Sequence, residues 1–305
     1  MLDLSLANLR DLSSKANKVI EDVLVNGGAR SKPPRGEVSA VSSIVLDGFD
    51  GIANSWNPEL IRDGYKIDLT AVFTHCRPWV TSSVGRCELA DLLIVVDDRT
   101  SGQHISDRRA VLVQAKRLSN KKPAIKGKRD EVQFDLMFGW PSFTFEDPAY
   151  DKKARNFKSR HAPGDPSLSG EYGWIDLNST PRHWVQYLTM NARTFTADQH
   201  LGQYIAHMVS GTDSYGREAK PGGLDDWSYT VDELLQITAN RASSDLAGAY
   251  RGQSHRLGLI TSLEFDQPSQ DGGGGTVGED GESEIWSEGP ISVVHMTASR
   301  VDARD

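Results

Sequence analysis

Cysteine is scarce. The 305-residue chain holds two, Cys76 and Cys87, too few for a disulfide framework or a zinc quartet. A reducing, cytoplasmic setting is therefore the expectation. Long apolar runs are missing as well: none approaches the roughly 18–20 residues that span a bilayer, so no membrane partner is expected. The opening residues, MLDLSLANLRDLSSKANKVIEDVL, lack the basic end and apolar block of a secretory leader and read instead as an amphipathic helix. Neither GxSxG, nor GxxxxGKS/T, nor HExxH occurs, which removes the signatures of serine hydrolases, P-loop enzymes and zincins. His200 and His207 lie seven apart with no evident third ligand, so a zinc pair is not expected there.

Basic residues are absent from one long stretch. From Leu257 to Ser299 there is no Lys or Arg, while Glu264, Asp266, Asp271, Glu279, Asp280, Glu282, Glu284 and Glu288 are acidic. The glycines of GGGGTVGEDG within it have no strand–turn–helix context and read as an acidic linker. The middle of the chain is the reverse. KRLSNKKPAIKGKR at 116–129 holds seven basic residues and no acid, and KKARNFKSR at 152–160 adds five. The net charge of −8 argues against non-specific coating of nucleic acid. The basic middle leaves room for a local contact.

Apolar spacing predicts a helix over 3–25, stopped by NGG, and a second over 36–52 that ends near its glycines. A loop with NPEL and DGYK follows. KIDLTAVFTH, CELADLLIVVDD and AVLVQAKR read as three successive strands, with RPWVTSSVGR as a connection, which suggests an antiparallel meander over about 66–117. Cys76 and Cys87 would then be cross-strand neighbours. A short helix over 130–140 and the core segment WPSFTF follow. YGWIDL reads as a strand, and HWVQYLTM as strand or helix. Helices are predicted over 196–211, with Asp198 in the first turn and Gly211 as the stop, and over 229–242, opened by a Thr230/Glu233 capping box. Residues 257–265 and 291–298 read as strands.

The chemistry gathers on two of these strands. Asp91 lies in ELADLLIVV, and Gln114 and Lys116 follow 23 and 25 residues later in VLVQAK. Side chains alternate along a strand, so Gln114 and Lys116 share one face while Ala115 takes the other. If the two strands pair, a carboxylate, an amide and an ammonium surround one point. An amide left unpaired after three core residues would cost about 1–3 kcal/mol, so Gln114 asks for a partner. A hard divalent cation prefers such oxygen ligands. It would polarise a phosphoryl oxygen and acidify a bound water, while the lysine orients that water or stabilises charge on phosphate.

The Asp-spacer-Gln-x-Lys arrangement resembles the PD-(D/E)xK nuclease superfamily, in particular its QxK branch of Mrr-like restriction endonucleases and anti-phage nucleases. The resemblance spans residues 36–140. It implies an α/β (α+β) fold, a restriction-endonuclease-like mixed β-sheet core flanked by helices, with a further helical and strand region behind it. It further implies an Mg²⁺- (or Mn²⁺-) dependent endonuclease acting on double-stranded DNA, an effector of bacterial anti-phage defence activated by assembly with itself or a partner subunit. Asp91, Gln114 and Lys116 would be catalytic. Asp91 and Gln114 would bind metal with Glu37 or Glu88, Glu21 standing behind Glu37. Glu88, three before Asp91, faces the opposite way in a regular strand. Arg117, Lys121, Lys122, Lys126, Lys128 and Arg129 would contact nucleic acid, because phosphates should continue along the loop leaving Lys116. The chain departs from the family at two points: no proline precedes Asp91, and position 114 is an amide, not an acid. A catalytically inactive, nuclease-like adaptor of a complex is the alternative. The expected division is a nuclease-like core over 1–145, a linker or mobile loop over 146–170, and a region of unknown role over 171–305 that could complete the same domain.

Overall fold

Ser5 opens the first helix, α1 (Leu6–Asn26): its hydroxyl oxygen accepts the Asn8 N–H at 3.1 Å. Gly27 closes it at φ 72°, a backbone region that favours glycine, so NGG ends the helix as its composition predicts. The computed structural model describes residues 1–74, 78–102, 104–118, 125, 127–187, 189–191, 194–196, 199–249 and 290–301. Cys76 and the segments 257–265 and 272–281 lie outside them.

The second helix does not end at its glycines. α2 (Glu37–Ser43) runs through a π-helical turn, Ile44–Gly48, into α3 (Phe49–Leu60). NPEL, expected in a loop, forms the last turn of α3. Gly51 is there for packing: a Cβ on it would sit 2.7 Å from Val19 Cγ1 of α1, so glycine lets the two helices approach. Asn57 ties the end of α3 to the first strand, donating to the Ile67 carbonyl at 2.9 Å and accepting its N–H at 2.7 Å.

The remaining elements, in chain order, begin with β1 (Tyr65–Val72), β2 (Trp79–Ser82), β3 (Gly85–Glu88), β4 (Leu92–Arg99) and β5 (Asp107–Arg117). Then come α4 (Gly127–Gly139), β6 (Phe143–Phe145), β7 (Gly170–Asp176), β8 (His183–Tyr187), β9 (Thr189–Asn191) and β10 (Thr194–Thr196). β11 (Gln199–His200), α5 (Leu201–Ser210), β12 (Arg217–Glu218), α6 (Asp226–Ala249) and β13 (Ser292–Arg300) complete the described chain. The main sheet is mixed, in the order β1-β13-β4-β5-β7-β8-β11, with β12 paired to β5. β3-β2-β6 form a smaller sheet, and β9 and β10 pair with each other.

The fold is therefore mixed α/β, but the expected three-strand meander is corrected. β13 lies between β1 and β4, antiparallel to the first and parallel to the second. The segment CELADLLIVVDD is two strands in two sheets, broken at Leu89–Asp91. RPWVTSSVGR, expected as a connection, supplies the hairpin β2–β3. HWVQYLTM resolves as strand over β8. The helix after it begins at Leu201, Asp198 lies outside the described residues, and Gly211 stops the helix at φ 73°. α6 begins before its expected cap: Asp225 Oδ1 accepts the Ser228 N–H at 2.9 Å. Thr230 lies inside the helix, and Glu233 pairs with Arg155 at 2.8 Å. Residues 146–170, expected as a linker or mobile loop, carry buried Tyr150, Arg155 and Phe157.

Helices cover both faces of the sheet. α1, α2, α3 and α5 bury Ile94, Val96, Val111, Val113, Val294 and Met296 on one side. α4, α6 and the small sheet bury Leu93, Val95, Leu112 and Val293 on the other. Strands buried on both faces read as unbroken apolar runs, which is why β4 and β5 stand out in the sequence.

Glu171 on β7 is fully buried. Burial pushes its carboxyl up to about 8, opposed only in part by the Tyr204 hydroxyl that donates to it at 2.8 Å. The group stays protonated in the fold where the unfolded chain ionises it. Stability it contributes below pH 4.5 is therefore lost as pH rises to about 8. Glu171→Gln is expected to remove that decline and to raise the unfolding free energy at pH 9 by about 2–5 kcal/mol relative to wild type, with little change at pH 4. Urea unfolding at the two pH values checks this.

Candidate metal and phosphodiester site

β5 outruns β4. The last paired residues are Leu92 and Val113, and one further bond, from the Asp91 N–H to the Val113 carbonyl at 3.0 Å, closes the ladder. Beyond it, Gln114 to Arg117 keep β7 on one side, Gln114 opposite Tyr172 and Lys116 opposite Trp174. On the β4 side the strand's N–H groups need other acceptors, because a buried donor left unpaired is costly. Carboxylates supply them. Asp91 Oδ2 accepts the Ala115 N–H at 2.8 Å, and Glu37 Oε2, from the first residue of α2, accepts the Arg117 N–H at 3.1 Å. Two acids from separate elements are thereby fixed two residues apart on one strand edge.

Gln114 and Lys116 point to the opposite sheet face from Ala115, under α4. Gln114 is fully buried and donates its amide NH₂ to Asp91 Oδ2. Its Oε1 accepts from Gln133 Nε2 of α4, and the same nitrogen donates to the Glu88 carbonyl at 3.2 Å. Lys116 Nζ meets Asp130 Oδ1, also on α4, at 3.2 Å. Burial pulls the lysine pKa down, but the charges of Glu37, Asp91 and Asp130 outweigh this and leave it raised. The ammonium is therefore held as a cation through neutral pH.

Asp91, Gln114, Lys116 and Glu37 converge at the end of β5. Glu88 contributes its backbone carbonyl to that network, while its carboxylate pairs with Arg129 at 2.5 Å. Glu21 pairs with Lys18 on α1. Arg117, Lys128 and Arg129 are exposed; Lys121, Lys122 and Lys126 lie outside the described residues. His200 sits beside His183, ring centroids 5.6 Å apart, and not on a shared helix face with His207.

Sequence reasoning missed Asp130 and Gln133. They are three apart on one helix, so they share a face, and that spacing was the only signal. It also missed the indole of Trp79, with the Arg86 guanidinium 4.0 Å and the Arg129 guanidinium 5.0 Å from its ring centre.

Among the described residues no group of three or more His, Cys, Asp and Glu side chains is arranged to hold a metal ion. At β5 the Gln114 amide turns its NH₂, not its oxygen, to Asp91, and the oxygen donors there are the carboxylates of Asp91 and Glu37. These are hard donors of the kind Mg²⁺ and Mn²⁺ take, and with Asp130 they outnumber the one ammonium among them. That donor chemistry fits a divalent cation. Comparison with known families, characterised proteins and solved structures gives no match.

Proposed function

We propose that the chain is an Mg²⁺- or Mn²⁺-dependent endonuclease that hydrolyses phosphodiester bonds, with double-stranded DNA as substrate and a restriction-endonuclease-like core. The observation that carries this reading is the direct contact of Asp91, just before β4, with Gln114 of β5, beside Lys116 and Glu37 at one strand edge. Asp91 and Glu37 would hold the cation, and the Gln114 oxygen would complete the set. The bound cation would polarise the phosphoryl oxygen and lower the pKa of an attacking water. Lys116, a fixed positive charge, would orient that water and stabilise the charge developing on phosphate. Its raised pKa makes it a poor proton acceptor, so its role is electrostatic. Arg117, Lys128 and Arg129 would take neighbouring phosphates, together with Lys121, Lys122 and Lys126. With a net charge of −8, such local contacts support only weak intrinsic affinity for DNA. Activation by assembly, with itself or a partner subunit, fits that balance; an anti-phage role rests on the resemblance alone.

One observation favours the inactive adaptor instead: the Gln114 oxygen is already engaged by Gln133. Supercoiled plasmid incubated with the full chain separates the two. The nuclease reading expects nicked and linear products in Mg²⁺, none in EDTA, and none with Asp91→Ala. Plasmid left supercoiled at every protein concentration in Mg²⁺ and in Mn²⁺ supports the adaptor.

A further inference from the structure

The two buried amides form a chain whose direction is set at both ends. A carboxylate only accepts hydrogen bonds, so Gln114 must face Asp91 with its NH₂. A backbone carbonyl only accepts, so Gln133 must likewise face the Glu88 carbonyl with its NH₂. Between them the Gln133 NH₂ donates and the Gln114 oxygen accepts. Gln133 is 4% exposed and Gln114 0%, so water offers little alternative to either group. For the Gln114 oxygen to join Asp91 in holding a cation, the order at Gln114 must reverse, oxygen toward Asp91 and NH₂ away. Turning that amide alone would set its NH₂ against the NH₂ of Gln133. Turning both would cost the Glu88 carbonyl its donor.

We propose that Gln133 is a positioning residue that governs cation affinity at Asp91 by holding the Gln114 amide with its nitrogen toward the site. This rests on the cation reading above and adds a control to it. A carboxylate at 133 would accept from the Gln114 NH₂ and turn the oxygen toward Asp91. Outer partners of metal ligands commonly change affinity 10–100-fold, so Gln133→Glu is expected to tighten Mn²⁺ binding about tenfold. Gln133→Met, which removes the donor to the Gln114 oxygen without adding charge but leaves the Gln114 NH₂ on Asp91 and on the Ala115 carbonyl at 3.3 Å, should move affinity the same way by a smaller factor. The direction reverses in a Gln114→Glu background. There the ligand is a carboxylate stabilised by the Gln133 NH₂, and Gln133→Glu would place two buried acids together and weaken Mn²⁺ binding.

The experiment is Mn²⁺ titration followed by electron paramagnetic resonance of the free ion, with the full chain. It uses wild type, Gln133→Glu, Gln133→Met, Gln114→Glu, the double variant, and Asp91→Ala as the site reference. Circular dichroism reports the fold of each. A change of sign between the two backgrounds supports the proposal, since a merely structural glutamine would weaken binding in both. Affinities within twofold of wild type for both Gln133 variants, with Asp91→Ala abolishing binding, overturn this inference and leave the cation reading standing. Equal binding by wild type and Asp91→Ala overturns both.

Discussion

Lys116→Ala is expected to lower Mg²⁺-dependent plasmid cleavage by about 10²–10³-fold, the range found when one preorganised donor to a developing oxyanion is removed. The Lys116 side chain is 20% exposed, so its charge acts in a medium that screens it less than bulk water. Asp130 pairs with it and the charges of Glu37 and Asp91 act on it, so deleting the ammonium leaves the repulsion among three carboxylates without a counter-charge. A bound divalent cation would relieve that repulsion. Mn²⁺ affinity should therefore hold or rise in the variant while the rate falls, a split that loss of folding would not produce. Lys116→Arg should recover part of the rate, because the charge is kept while its geometry changes. Single-turnover cleavage beside Mn²⁺ titration makes the comparison. Equal rates for wild type and Lys116→Ala would remove the lysine from the reaction.

Arg108→Ala is expected to destabilise the fold at pH 7 by about 3–5 kcal/mol, the cost of breaking a buried ion pair from one side. Asp97 on β4 has no solvent exposure. Arg108 on β5 grips both its oxygens, at 2.5 and 2.8 Å, and reaches Asp232 of α6 at 2.5 Å. His295 of β13 adds a contact at 2.8 Å. Burial pushes the Asp97 carboxyl up, but the Arg108 and His295 bonds outweigh it and hold the group below the ordinary carboxylate range. The stability from that depressed pKa is present above about pH 3.9, the unfolded value, and is lost as pH falls through the folded one. Without Arg108 the His295 contact alone opposes burial, and the carboxyl takes a proton more readily. The deficit should thus be largest near neutrality and shrink toward pH 3. Urea unfolding at both pH values reads it, and a deficit under about 1 kcal/mol at pH 7 would contradict the account.

How far the sequence reached depends on the range of the forces involved. β4 and β5 were legible because each is an unbroken apolar run and a short turn joins them, so their pairing and the meeting of Asp91 with Gln114 follow from local pattern. The place of β13 was not. Its own alternation marks a strand, but the 192 residues between Arg99 and Ser292 carry no signal of which neighbour it joins. The continuation of the second helix past Gly48 and Gly51 was missed because Gly51 answers to Val19 of α1, a tertiary contact invisible to spacing along the helix. Glu88 was assigned a face by counting residues along one strand. The strand breaks at Leu89–Asp91, which voids the count. Asp130 and Gln133 were hidden in plain view: an acid in a helix's first turn is ordinary, and only the third dimension brings it to Lys116.

The central claim is that the carboxylates gathered at the end of β5 hold a divalent cation. Crystals of the full chain soaked in Mn²⁺ and measured at a wavelength where manganese scatters anomalously test it most directly. The account predicts one anomalous peak within about 2.0–2.6 Å of an Asp91 oxygen, with a Glu37 oxygen in the same shell and the Gln114 oxygen turned toward it. Mn²⁺ bound elsewhere, with Asp91 still holding the Gln114 NH₂ and the Ala115 N–H, would contradict it.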